Sequence, residues 1–151
     1  MNLHQSKLYF EDIDRALDHV VGMEALRNKS ILVTGATGTI GSFVADALIR
    51  YSQKNNADTV IYLGGRNAEK LRHQFGIQKN VDFLQYDMNA PIGFNVHVDY
   101  IIHAAGNAHP AAFNGNPVGT TMGNIESTFR LLEYLRLHEG KRLLYVSSGE
   151  V

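Results

Sequence analysis

The residues best placed to do chemistry are Thr34-Gly35-Ala36-Thr37-Gly38-Thr39-Ile40-Gly41, which follow the apolar run Ile31-Leu32-Val33 and open an amphipathic segment from Ser42 to Tyr51. A buried strand that turns into a helix through three glycines aims backbone N–H groups at the space before the helix, where a diphosphate gains hydrogen bonds and a favourable dipole. Gly35 is expected to permit the tight turn, Gly38 to let the pyrophosphate approach the backbone, and Gly41 to let the helix pack close to the strand. The amides of Ala36 to Ile40 then form the grip. A glycine-rich turn with no ligand is the plainer alternative.

The surrounding elements follow from hydrophobic period. Residues Tyr9 to Leu26 read as a helix, with Ile13, Leu17, Val20, Val21 and Ala25 on one side and Glu11, Asp12 and Asp14 crowding its front turn. Behind the glycines, Phe43, Val44, Ala47, Leu48 and Tyr51 mark one face of a crossover helix, and residues 53–58 form a polar return. Thr59 to Leu63 is then a second strand, parallel to the first by the right-handed crossover rule. An acidic residue at the end of such a strand would accept the adenosine ribose hydroxyls of NAD. Here the chain reads Gly64-Gly65-Arg66-Asn67 instead, and Arg66 and Asn67 are expected to border the cofactor. A guanidinium at Arg66 can fork onto a 2′-phosphate or stack on adenine, which favours NADP over NAD; a solvated arginine opening the next helix is the alternative.

Val81 to Tyr86 reads as a third strand ending in Asp87-Met88, and Val98 to Ile102 as a fourth, buried on both faces, running into His103-Ala104-Ala105-Gly106. Asn107 to Pro117 reads as a loop beyond that strand's carboxyl end, where an open α/β sheet builds its substrate wall. From Val118 the positions Met122, Ile125, Phe129, Leu132 and Leu135 give a long helix, its stripe widened by Leu131 and Tyr134 beyond what one sheet face needs. The run starting at Arg142 is a fifth strand.

The spacing G-x-x-G-x-x-G is one residue wider at its front than the G-x-G-x-x-G of ordinary dinucleotide-binding dehydrogenases. With the ordered segments that follow it, the chain resembles the short-chain dehydrogenase/reductase superfamily from Lys29 to Val151, and within it the extended NAD(P)-dependent epimerase/dehydratase family that modifies nucleotide sugars. The fold implied is α/β: a Rossmann-type doubly wound parallel sheet of about five strands in the order 3-2-1-4-5. Residues 29–151 form its dinucleotide-binding unit, and residues 1–28 a helical extension.

By that resemblance Asp87 hydrogen-bonds the adenine amino group, with the Met88 backbone beside the ring; a turn-forming aspartate is the alternative. His103-Ala104-Ala105-Gly106 matches the family's His-Ala-Ala segment at the nicotinamide ribose, with His103 packed and hydrogen-bonded rather than catalytic. Asn124 matches the family's helix asparagine, and the long helix packs on a dimer partner. Ser127 departs from the pattern Asn-x-x-Gly-Thr, which implies a looser helix contact. Counted back from Val151, Ser148 falls on the catalytic Ser/Thr position, and Glu150 on the carboxylate that takes a neighbouring proton. With Gly149 where the family's dehydratases carry aspartate, the ending is closer to nucleotide-sugar decarboxylases such as the UDP-glucuronate enzymes, or to epimerases, than to dehydratases.

The family's Tyr-x-x-x-Lys pair lies past Val151, so the 151 residues alone are expected to bind dinucleotide with negligible turnover. Self-association is expected through the helix 118–139 or through the apolar strand 142–147. A non-catalytic NADP-binding sensor or scaffold is the competing functional reading.

Composition bounds the remaining classes. A chain of 151 residues can bury a real core, roughly 70% of its unfolded surface. Fourteen Lys and Arg stand against fifteen Asp and Glu, which argues against nucleic acid or an anionic membrane as partner. There is no cysteine, and the histidines show no metal-ligand spacing. The polar N-terminus and the lack of a long apolar run suggest a cytoplasmic setting.

Overall fold

The computed structural model describes residues 6–106 and 110–147. Five parallel strands form one sheet in the order β3-β2-β1-β4-β5: β1 Ser30–Thr34, β2 Val60–Gly65, β3 Val81–Gln85, β4 Tyr100–His103 and β5 Arg142–Tyr145. The strand order is the expected one. β1 is central and buried along its whole length, its apolar centre Ile31-Leu32-Val33 flanked by the buried hydroxyls of Ser30 and Thr34. Its pairing brings Thr34 level with Gly64 of β2 and with His103 of β4, so the carboxyl ends of three strands meet at one edge.

Helices α2 (Thr39–Asn55) and α3 (Ala68–Phe75) cover β1 to β3 on one face, over a core of Ile31, Val33, Ile61, Leu63 and Leu71. On the other face α5 (Pro117–Leu137) packs on β4 and β5, burying Leu32, Ile101, Leu131 and Leu135. The irregular segment between β3 and β4 completes this layer. Its Val96 is held at both backbone groups by the Tyr134 hydroxyl, which donates to the carbonyl at 2.6 Å and accepts from the amide at 2.8 Å.

Several expectations are corrected. The first helix, α1, spans only Lys7–Asp18, and a separate 3-10 turn follows at Met23–Leu26. Gly22 breaks the run at a φ of 85°, leaving Val20 and Val21 exposed. Ser6 caps α1 through its hydroxyl, so Glu11, Asp12 and Asp14 lie beyond the first turn and serve as ion-pair partners instead. Asp14 takes both Arg50 and Lys54 of α2, and Tyr9 donates to Asp46 of α2 at 2.7 Å; these bonds dock α1 on the outside of α2. β4 is fully buried on one face only: Ile101 and His103 are buried under α5, while Tyr100 and Ile102 are half-buried at the margin of the core beneath α2 and α3.

Part of the segment read as a loop is a short helix, α4 (Pro110–Gly115). The face of α5 is also different. Its buried positions are Thr120, Gly123, Ser127, Leu131, Tyr134 and Leu135, whereas Met122, Ile125, Phe129 and Leu132 are exposed. The first half of the helix lies close to the segment after β3: a Cβ on Gly123 would stand 2.9 Å from Asn89 Oδ1 and 3.5 Å from the end of the Met88 side chain. Among the described residues no helix is long and apolar enough to cross a membrane.

Candidate dinucleotide-binding site

The turn from β1 into α2 is built by steric exclusion. Gly35 has φ +71°, and a Cβ there would fall 2.6 Å from the backbone of Ala104 and Ala105. A Cβ on Gly41 would collide with the Gly35 carbonyl oxygen, and one on Gly38 would lie 3.3 Å from it. The three glycines therefore let the turn, the helix start and the end of β4 share one small volume.

The turn's backbone donors divide into two groups. The Gly35 and Ala36 amides donate to Gly64 O at 3.0 and 3.4 Å, and the Gly38 amide to Gly35 O at 2.9 Å. These bonds hold the loop. Gly38 is the N-cap of α2 and has no side chain to cap with, so the first-turn amides of Thr39, Ile40 and Gly41, and the Thr37 amide, have no partner among the described residues. Thr37 to Ile40 are exposed. The expected grip thus shifts: Ala36 is buried and its amide is used internally, and the donors left for an anion are those of Thr37 and the helix start.

A cavity of about 260 Å³ opens beside this loop. Gly35, Thr37 and Gly38 line one side, Gly65 and Arg66 the end of β2, Tyr86 to Asn89 the end of β3, and Ala104 to Gly106 the end of β4. Arg66 is exposed at the rim and makes no ion pair or hydrogen bond among the described residues, which leaves its guanidinium available to an anion. Asn67 does not line the cavity; its Oδ1 accepts the Lys70 amide at 3.0 Å and caps α3. Asp87 lines the cavity while one carboxylate oxygen accepts the Asn89 amide at 2.9 Å, so it is both a wall residue and a turn former. Met88 is buried against α5, and Arg130 holds its carbonyl at 2.5 Å. Thr39 and Ile40 line an adjoining, more apolar cavity of about 520 Å³ that shares Thr37 and Gly38 with the first and is lined also by Tyr9 of α1 and Phe43.

His103 is packed, as expected, and its side chain does not line the cavity. It is fully buried, with Nδ1 2.7 Å from Thr34 Oγ1 and Nε2 3.1 Å from Ser127 Oγ. Burial pushes its imidazole down to about 4, so it stays neutral at pH 7. Tyr86 meets it edge-on at 6.2 Å, and burial pushes that phenol up to about 12. Asn124 lies behind the end of β4: its Oδ1 is buried and has no hydrogen-bond partner among the described residues, and a Cβ on Gly106 would be 3.6 Å from it. Ser148 and Glu150 lie outside the described residues. Sequence reasoning missed Arg130 and the hydrogen-bonding roles of Thr34 and Ser127; a hydroxyl residue closing the apolar run Ile31-Leu32-Val33 was the signal for Thr34.

A parallel sheet with its strand order reversing at β1, and a glycine turn that presents free amides to a cavity at the strand ends, defines a Rossmann-type dinucleotide-binding unit. The glycine cradle and the first-turn amides fit a diphosphate. The profile of the NAD dependent epimerase/dehydratase family matches residues 31–151, and the chain belongs to that family. It is 34% identical over 125 residues to UDP-glucuronic acid decarboxylase 2 of Arabidopsis thaliana, covering 80% of this chain and 26% of that protein. It is 32% identical over 123 residues to a putative UDP-glucose 4-epimerase of Methanocaldococcus jannaschii, covering 79% of this chain and 38% of that one. The fold matches the crystal structure of UDP-glucose 4-epimerase from Bifidobacterium longum in complex with NAD+ and UDP, with a TM-score of 0.57 at 20% identity over 80% of this chain and 37% of that one. The chain therefore spans between a quarter and two-fifths of the length of these relatives.

Proposed function

We propose that this chain is the dinucleotide-binding part of a cytoplasmic NAD(P)-dependent enzyme that modifies a nucleotide sugar through transient oxidation, as an epimerase or decarboxylase. The observation that carries the reading is the set of unpartnered amides at Thr37, Thr39, Ile40 and Gly41, flanked by the unpaired Arg66. The names of the relatives, which act on UDP-glucuronic acid and UDP-glucose, support the substrate class. A bound nicotinamide would supply the acceptor for hydride leaving the sugar carbon.

In this reading the α2 amides hold the diphosphate, Arg66 faces a 2′-phosphate, and Asp87 with the Met88 backbone borders the adenine. Ala104 to Gly106 border the nicotinamide ribose, next to Asn124. Ser148 hydrogen-bonds the sugar oxygen and Glu150 takes a proton from the neighbouring carbon. No tyrosine of the 151 residues is followed four positions later by lysine, so this polypeptide alone binds dinucleotide with negligible turnover. Self-association uses the exposed stripe of α5 or the edge of β5, where Leu144 and Tyr145 are exposed.

The test is a fluorescence titration of the chain with NADPH and with NADH. NADPH is expected to bind more tightly, and Arg66→Ala to weaken NADPH by about tenfold while sparing NADH, the worth of one charge-assisted contact. Equal affinities in both chains overturn the NADP preference, and no binding of either dinucleotide overturns the reading as a whole.

A further inference from the structure

The buried polar groups between β1, β4 and α5 form one hydrogen-bonded chain, and its direction can be worked out. The Asn124 carbonyl can only accept, and Ser127 Oγ donates its single proton to it at 3.1 Å. With that proton on the carbonyl, Ser127 Oγ, which also lies beside the Tyr86 hydroxyl, accepts at the ring, and His103 donates from Nε2, 3.1 Å away. The Nδ1 of the neutral ring is left as an acceptor, and Thr34 Oγ1 donates to it at 2.7 Å. Thr34, His103 and Ser127 are each at most 1% exposed, so water does not compete. The neutral state of His103 is consistent with this arrangement.

We propose that Ser127 is a positioning residue which, through His103, locks α5 to the end of β4 and so sets the placement of Asn124 against the Ala104 to Gly106 wall of the cavity. Every link is short in sequence from the site. Thr34 immediately precedes Gly35, His103 immediately precedes Ala104, and Asn124 meets Gly106. Thr128 adds a second hydroxyl on the Asn124 carbonyl at 2.8 Å, which fixes that turn of the helix further. A glycine at position 127 has no hydroxyl and cannot make the link. Ser127 therefore works at the sheet, not in an outward helix contact of the kind expected from the sequence. Because the wall it steadies matters only if the cavity holds dinucleotide, the binding consequence rests on the reading above; the hydrogen-bond consequence does not.

The test uses the 151-residue chain labelled with 15N. Long-range 1H–15N correlation is expected to show His103 protonated at Nε2 and not titrating above about pH 5. Ser127→Ala is expected to switch His103 to the Nδ1–H form, which can donate to Thr34, and to move the amide resonances of Ala104, Ala105 and Gly106. Ser127→Thr is expected to restore both. Dinucleotide affinity should fall by about tenfold in Ser127→Ala, the worth of one net hydrogen bond, and recover in Ser127→Thr. An Nδ1–H tautomer in the unsubstituted chain overturns the proposal, and that measurement decides it even if Ser127→Ala fails to fold. Unmoved Ala104 to Gly106 resonances in a folded Ser127→Ala chain also overturn it. An unsubstituted chain that shows the Nε2–H tautomer but binds no dinucleotide supports the hydrogen-bonded lock and removes only the functional reading.

Discussion

Gly35 and Ala104 touch backbone to backbone: a Cβ on Gly35 would stand 2.6 Å from both the carbonyl carbon and the carbonyl oxygen of Ala104. The first strand's turn and the fourth strand's end are therefore a single packing unit. That contact explains why small residues follow His103. They receive the glycine loop, and the cavity forms in the space left over.

Substituting Gly35 with alanine strains the backbone twice, once at a φ of +71° and once against Ala104. The expected loss of stability is about 2–4 kcal/mol. Urea unfolding at equilibrium measures it, and Gly22→Ala provides the comparison: it is left-handed, with φ +85° and ψ 9°, but no atom lies within 4 Å of the added Cβ. Equal losses at the two glycines would show that backbone conformation, and not the contact with Ala104, sets the cost.

Acid is expected to weaken the fold in two stages. His103 is neutral in the folded protein down to about pH 4, whereas the unfolded chain takes a proton below the ordinary value of 6.5. The unfolded state then binds more protons, so stability falls as pH drops from about 6.5 to 4. Burial works to raise Asp99, but hydrogen bonds from Ser30 and Lys141 hold it below its ordinary value. Arg50 and Lys54 hold Asp14 lower still. Both carboxylates contribute stability above the ordinary carboxylate range that is lost as they protonate in stronger acid. Urea midpoints measured from pH 7 to 3 should decline through both windows; a midpoint that is flat or rising from pH 6.5 to 4 contradicts the buried neutral histidine.

The exposed residues Val118, Met122, Ile125, Phe129 and Leu132 recur at alternating four- and three-residue steps, the seam spacing of two packed helices. Sedimentation of the chain over a concentration series is expected to show self-association. If α5 is the seam, Phe129→Asp abolishes it while changing stability by no more than about 0.5 kcal/mol, since the side chain is already exposed. If the edge of β5 is the seam, Leu144→Lys abolishes it instead. A chain that is monomeric throughout rules out both.

Much of this was legible in the sequence because parallel strands are short apolar runs and the glycine loop has a fixed neighbourhood. Ile31 to Val33, Val60 to Leu63 and Tyr100 to Ile102 announced the strands; their parallel pairing followed from the crossover rule, and their order from the family resemblance. α5 misled because its largest apolar side chains face outward. Its buried side carries Gly123 against the segment after β3 and Ser127 against His103 of β4, and hydrophobic period alone cannot distinguish a core stripe from an exposed one. Asn67 was placed at the cofactor because it follows Arg66; its role as the α3 cap depends on where the helix starts, which propensity locates poorly. The division of loop amides into spent and free depends on the register with Gly64, a long-range pairing that no local spacing encodes.

The most direct measurement is the backbone amide spectrum of the 15N-labelled chain as NADP+ is added. The largest shifts are predicted at Thr37, Thr39, Ile40 and Gly41, whose donors are free, with smaller ones at Ala36 and Gly38, whose donors are held by Gly64 and Gly35. A spectrum in which those four amides stay still while the dinucleotide binds elsewhere, or does not bind, would contradict the account.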